Sequence, residues 1–309
     1  MVTAMKRNRL GSSELYVGEI GLGCMSLGTD KRKAIALIHE GLERGVNFLD
    51  TADLYEDGLN EEIVGEAVRS SGRNRDEIVI ATKVGNRRIP GQEGWVWDPS
   101  KAYILSSVKG SLKRLGVEYI DLYQLHGGTL EDPIDETIEA FEQLKQEGLI
   151  REYGISSIRP NVIREYAARS SIVSVMSQYS LLDRRPEETV LPLLEDKGIG
   201  LIARGPVAKG ILSPNGRARA EQGYLDYSAK ELSALHNELA QLAKEGQSLS
   251  QLAIRYSLSH SSVAVAIPGA SSLEQLLHNI EASEGAPLTE EELARLRRLT
   301  RANVYEQHR

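Results

Sequence analysis

Short apolar runs alternate along the chain with stretches whose apolar positions recur every three or four residues. The runs at 47–50, 78–83, 120–126, 151–156, 173–178, 199–204 and 263–267 have the length and bounded ends of buried strands, and 20–22 adds an eighth near the start. Helical spacing fills the gaps. Ala34, Leu37, Ile38 and Leu42 share one face of a helix predicted over 31–44, stopped by Gly45. Ile134, Ile138, Phe141 and Leu144 do the same over 134–147, ahead of Gly148. Further helices are predicted over 60–70, 100–115, 159–169, 187–197, 229–245 and 273–282. Segments 249–258 and 289–298 read as added helices, the latter opened by the capping sequence Thr289-Glu290-Glu291-Glu292. At the front, 6–10 and 14–18 flank Gly11-Ser12-Ser13 and predict a β-hairpin.

Apolar strands alternating with amphipathic helices call for a parallel sheet covered by helices. The class is therefore α/β. A (β/α)8 TIM barrel with an N-terminal β-hairpin and added C-terminal helices is preferred over a doubly wound sheet, because chemistry-bearing residues end several different strands. The dinucleotide fingerprint of a doubly wound sheet is also missing: Gly21-Leu22-Gly23-Cys24-Met25-Ser26 has Ser at its third glycine position. No compositional break divides residues 1–309, so one domain is expected. Two long irregular segments, 84–99 and 205–227, interrupt the regular pattern.

Composition narrows the function classes. With 41% hydrophobic residues in 309, the chain has ample material for a core. A net charge of -7 spread over mixed-sign helices argues against a nucleic-acid surface. The basic stretch 1–10 lacks the apolar run of a secretory signal, and no stretch approaches a membrane span. The single cysteine, Cys24, excludes an internal disulfide and reads as a packed small hydrophobe in a cytoplasmic protein. Six scattered histidines show no ligand spacing, so no metal is expected.

Three strands end in reactive groups. Asp50 closes the run 47–50, with Tyr55 on the loop leaving it; Lys83 and His126 close 78–83 and 120–126. These four resemble the catalytic tetrad of the aldo-keto reductases. Gly21-Leu22-Gly23-Cys24-Met25, Gly154-Ile155-Ser156-Ser157 and Ile267-Pro268-Gly269-Ala270 fall in the order of that family, and the likeness covers nearly the whole chain. It is strongest to the bacterial branch with short loops. The resemblance implies that the four groups converge, that the hairpin plugs the barrel bottom, and that the chain reduces aldehydes and ketones to alcohols by hydride transfer. Tyr55 then suits the general acid, its phenol drawn from near 10 toward neutrality by Lys83. Asp50 holds Lys83, and His126 orients the carbonyl. Two other classes remain: a regulatory nicotinamide-binding protein resembling channel β-subunits, and a Schiff-base aldolase built on Lys83.

No side chain supplies a hydride, so a cofactor is required. The resemblance implies NADPH, with NADH as the alternative. It puts Gly23, Cys24, Met25 and Asp50 along the cofactor and Ser156, Ser157 and Gln178 at the nicotinamide carboxamide. Ser157 stands where the family normally has Asn, and Arg204 where many relatives have a stacking tyrosine. A salt-bridged core arginine is the plainer reading of Arg204. Gly205, Pro206, Val207, Lys209 and Gly210 pass the pyrophosphate, with Lys209 as the candidate cation. Gly269, Ala270, Ser271, Ser272 and Gln275 face the adenosine phosphate without the cation many relatives carry, and Asn279 meets the adenine. Ser271 and Ser272 are equally N-cap candidates. Trp95 and Trp97 are read as a substrate wall or as a packing clamp. The expected partner is a small carbonyl compound, with neither nucleic acid nor membrane, for a monomer or small homo-oligomer.

Overall fold

The computed structural model describes residues 5–89 and 91–309. Residues 1–4 of the basic opening stretch and residue 90 of the first long segment lie outside them. The predicted hairpin is β1 (Arg7–Arg9) paired antiparallel with β2 (Tyr16–Gly18). Its turn needs Gly11: φ is +57°, and a Cβ there would lie 2.1 Å from the Val173 carbonyl oxygen.

Eight parallel strands follow: β3 (Leu22–Gly23), β4 (Phe48–Asp50), β5 (Val79–Val84), β8 (Ile120–Leu125), β9 (Ile150–Ser156), β10 (Ser174–Gln178), β11 (Gly200–Arg204) and β12 (Val263–Ile267). Each pairs with its neighbour in that order, and the bridges Ile20–Ala266 and Gly23–Gly269 bring the last strand back to the first. With helices between the strands this is a (β/α)8 barrel. The helices are α1 (Lys31–Glu43), α2 (Leu59–Ser70), α3 (Lys101–Leu115), α4 (Ile134–Gln146), α5 (Pro160–Arg169), α6 (Pro186–Lys197), α8 (Ala229–Ala240) and α10 (Leu273–Glu281). The added helices are α9 (Leu249–Ser257) and α11 (Glu290–Leu299), the latter opened by a Thr289–Glu292 capping box.

Strand alternation sorts the core into two layers. Phe48, Val79, Ala81, Leu122, Met176, Ile202 and Val265 point inward and pack on Leu10, Leu15 and Val17 of the hairpin, which fills the bottom of the barrel. Leu49, Ile80, Tyr123, Ile155 and Leu201 point outward and pack under the helices. The inward set matters for function. Two residues further along, the same phase delivers Asp50, Lys83, Gln124, Gln178 and Arg204 to the opposite end of the barrel.

The structure departs from the sequence expectation in three places. The helix predicted over 229–245 stops at Ala240, where the Leu242 N–H turns back to the Leu239 carbonyl (3.0 Å) in a tighter turn. The segment after β5 contains a second hairpin, β6 (Asn86–Arg87) with β7 (Val96–Trp97). The 205–227 segment contains a 3-10 turn, Ala208–Gly210, and a one-turn helix, α7 (Arg217–Ala220). Runs of two to four residues carry too few positions to show a period.

Candidate active site

Lys83 is the centre of the site. Its side chain is fully buried, and its ammonium has three acceptors: Asp50 Oδ2 at 2.8 Å, the Thr51 carbonyl at 2.8 Å and the Tyr55 hydroxyl at 3.2 Å. Asp50 ends β4 and Lys83 lies near the end of the adjacent β5, so the ion pair bridges neighbouring strands. The Tyr55 and His126 rings meet edge to face with centroids 6.0 Å apart. The His126 backbone N–H donates to the Val84 carbonyl at 2.8 Å, while its Nδ1 is buried without a partner. Asp50, Tyr55, Lys83 and His126 thus converge at one end of the barrel.

Burial sets the electrostatics. It opposes the charge on Lys83, but Asp50 and Tyr55 outweigh it and raise the ammonium above its ordinary value. Burial also raises the Asp50 carboxyl, against the pull of Lys83. His126 is pushed down to about 3 by burial and by the Lys83 and Arg204 charges, so its imidazole is neutral. Tyr55 corrects an expectation. Burial raises its phenol above the ordinary value, and the Lys83 charge only partly offsets this. The desolvation cost of a phenolate exceeds one cation at 3.2 Å, so Tyr55 holds its proton.

The candidate cofactor residues line the same rim. Ser156 ends β9 and Ser157 follows it, both buried; Ser157 Oγ accepts from the Arg159 N–H at 3.1 Å. Gln178 accepts from Arg204 at 3.4 Å and donates to the Tyr224 hydroxyl at 2.5 Å. Arg204 has no carboxylate at ion-pair distance among the described residues, which removes the salt-bridged reading. Pro206 is buried, and Lys209 is exposed on a left-handed turn (φ +55°). A cleft of about 700 Å³ leads from Gln178 past Tyr224 to Lys209 and Arg219. Gly23 meets Gly269 across the barrel seam, and Cys24 and Met25 begin the 3-10 turn beyond it. Met25 is exposed; Cys24 is fully buried, and burial drives its thiol far up, the inert state expected.

Ser272 is the N-cap of α10, bonded to the Gln275 N–H at 3.2 Å. Gln275 Oε1 accepts from both the N–H (2.9 Å) and the hydroxyl (3.0 Å) of Ser271. Asn279 donates to the Gly269 carbonyl at 3.2 Å, and Ala270 is buried beside it. The helix-start donors are thus partly satisfied by the segment itself.

The tryptophans separate. Trp97 Nε1 donates to Asp132 at 2.9 Å, and its ring lies against two glycines: a Cβ on Gly85 would be 2.6 Å from it and one on Gly127 3.1 Å. Gly85 and Gly127 each fall within two residues of Lys83 or His126, so the Trp97 ring packs against the segments that carry these two residues. Trp95 is 53% exposed. Sequence reasoning missed Gln124, whose amide lies 3.5 Å from Asp50, although its inward phase on β8 was readable. It also missed Tyr224 and Arg219, which no periodicity places at this rim.

Among the described residues, no helix is long and apolar enough to cross a membrane, and no group of three His, Cys, Asp or Glu could hold a metal ion. Residues 19–301 match the family model described as the aldo/keto reductase family. The chain is 54% identical over 310 residues to a Bacillus subtilis (strain 168) protein named uncharacterized oxidoreductase YqkF, covering 99% of this chain and 100% of that one. Among solved structures it is similar to the holo form of aldo-keto reductase AKR11C1 from Bacillus halodurans. The TM-score is 0.93 at 56% identity, over 98% of this chain and 99% of that one. The glycerol dehydrogenase AKR11B4 from Gluconobacter oxydans follows with a TM-score of 0.85 at 26% identity, over 96% and 95% of the two chains.

Proposed function

The chain belongs to the aldo/keto reductase family, and from that premise we propose that it reduces small aldehydes and ketones with NADPH, Tyr55 delivering the proton. The observation that carries this reading is the Lys83 ammonium, bonded at once to the Asp50 carboxylate and the Tyr55 hydroxyl. The cofactor, when bound, supplies the hydride. Ser156, Ser157, Gln178 and Arg204 would hold its nicotinamide end, and Lys209 with Arg219 its phosphates. The fit rests on the cleft joining Gln178 to Lys209 and on the Arg204 guanidinium, which is bonded to Gln178 and held by no carboxylate among the described residues.

Tyr55 would then donate its proton to the carbonyl oxygen. Lys83 stabilises the resulting phenolate, and Asp50 keeps the lysine charged and in place. Neutral His126 directs a ring N–H at the carbonyl oxygen and so orients it. A Schiff-base role for Lys83 is disfavoured, because an ammonium shared among three acceptors has no free lone pair. NADPH is preferred over NADH by a small margin, since Ser271, Ser272 and Gln275 offer no cation to a 2′-phosphate. Catalysis of this kind suits a cytoplasmic enzyme acting on a soluble carbonyl compound, as monomer or small homo-oligomer.

Purified protein titrated with NADPH and NADH, then assayed by absorbance against a panel of aldehydes, tests the activity. Tyr55→Phe should keep cofactor binding, read by fluorescence quenching, and lose turnover by about 100-fold or more. Near-normal turnover in that variant would remove Tyr55 from the mechanism.

A further inference from the structure

The loop between β4 and α2 carries Tyr55 through an unfavourable path. Glu56 and Asp57 lie at φ 49° and 55°, in the left-handed region, and Gly58 follows at φ 89°. Such a path persists only when its surroundings hold it. Thr51 Oγ1 donates to Asn60 at 2.7 Å, Asp57 pairs with Arg88 at 2.7 Å, the Tyr55 N–H donates to the Ala52 carbonyl at 3.2 Å and Lys83 donates to the Tyr55 hydroxyl at 3.2 Å. A further tie is Asp53, two residues before Tyr55. Its N–H donates to the Lys83 carbonyl at 3.4 Å, and its Oδ2 accepts from Ser107 of α3 at 3.3 Å.

We propose that Asp53 is a positioning residue for the proton donor, holding the Tyr55 loop against α3 through Ser107. This rests on the reading of Tyr55 as that donor. Asp53 sits behind the tetrad, between the barrel and the helices, in a polar cluster that the hydride chemistry does not use. Facing it are Glu61 from α2, Tyr103, Ser107 and Arg114 from α3, and Tyr123 from β8. Glu61 is fully buried and already committed: it accepts from Thr82 of β5 at 2.6 Å and from Arg114 at 2.6 Å. Arg114 is therefore paired with Glu61 and acts on Asp53 only through space, not in an ion pair.

Asp53 Oδ1 and the Tyr123 hydroxyl are both buried without partners. Burial and Glu61 push Asp53 up to about 7, against Ser107 and Arg114. In either form its Oδ2 accepts from Ser107, and that bond is what ties the loop to α3.

The test measures kcat, KM and cofactor Kd across neutral pH for wild type, Asp53→Ala, Asp53→Asn and Ser107→Ala, with melting temperature as the control for folding. Asp53→Ala and Ser107→Ala should each lower kcat about tenfold, with KM and cofactor Kd held within about twofold, since only the donor is misplaced. Asp53→Asn, which keeps a carbonyl oxygen to accept from Ser107, should recover kcat. The idea is overturned by an Asp53→Ala kcat within about twofold of wild type, or by Asp53→Asn falling with Asp53→Ala. A wild type that binds NADPH yet reduces no aldehyde at any pH would instead sink the reductase reading, and with it Tyr55 as donor.

Discussion

Replacing Lys83 by Met removes the one cation in the buried centre while roughly keeping its length. Asp50 Oδ2 then loses its 2.8 Å partner, and only the Gln124 amide, 3.5 Å from Oδ1, remains. Breaking a buried ion pair by deleting one member costs about 3–5 kcal/mol, because the other charge is stranded. Lys83→Met should therefore lower the unfolding free energy by that amount, with a fall in melting temperature of roughly 5–15 °C. Adding Asp50→Asn removes the stranded charge. What is left is the unpaired Thr51 carbonyl and Tyr55 hydroxyl, about 1–3 kcal/mol, so the double variant should be more stable than the single one. The pH dependence carries a sign. Without Lys83, burial is opposed only by the Gln124 amide and the Arg204 charge, both weaker than it, and Asp50 keeps a folded-state value above the unfolded one. The penalty is then fully present above the folded value and vanishes below the unfolded one, so the single variant's deficit should shrink as pH falls. Urea unfolding of the three proteins at neutral and mildly acidic pH measures this, with aldehyde turnover on the same samples. A double variant no more stable than Lys83→Met, or a deficit independent of pH, would refute the stranded-charge argument.

Cofactor choice gives a second prediction. Gln275→Arg should tighten NADPH by about 1–2 kcal/mol, roughly five- to thirtyfold, leave NADH nearly unchanged and lose the gain at high salt; Kd values at two ionic strengths check it. Equal effects on both cofactors would put the 2′-phosphate elsewhere, with Lys209 and Arg219 next to be tried. For the tryptophans, Trp97→Ala should cost about 3 kcal/mol and slow small and large aldehydes alike, because the ring pins Gly85 and Gly127. Trp95→Ala should leave the melting temperature unchanged; a rise in KM confined to bulky apolar aldehydes would assign Trp95 to substrate contact.

What the sequence determined by itself is what repeats. Eight alternations of apolar run and helical stripe define the barrel, because a buried parallel strand and an amphipathic helix each need several residues in phase, and those phases are visible one after another. The reactive residues were legible for the same reason: Asp50, Lys83 and His126 stand where apolar runs end, and in a barrel those ends share one mouth. Gln124 was within reach of that logic, lying two residues past the inward Leu122. Tertiary structure alone decided the rest. The Tyr55 phenol is raised rather than lowered because a charge near a group says nothing of how much water surrounds it, and burial is a property of the closed fold. Trp97 packs where it does because Gly85 and Gly127, from two different loops, leave room for its ring. Tyr224 reached Gln178, and Ser107 reached Asp53, across separations of 46 and 54 residues that no local period spans.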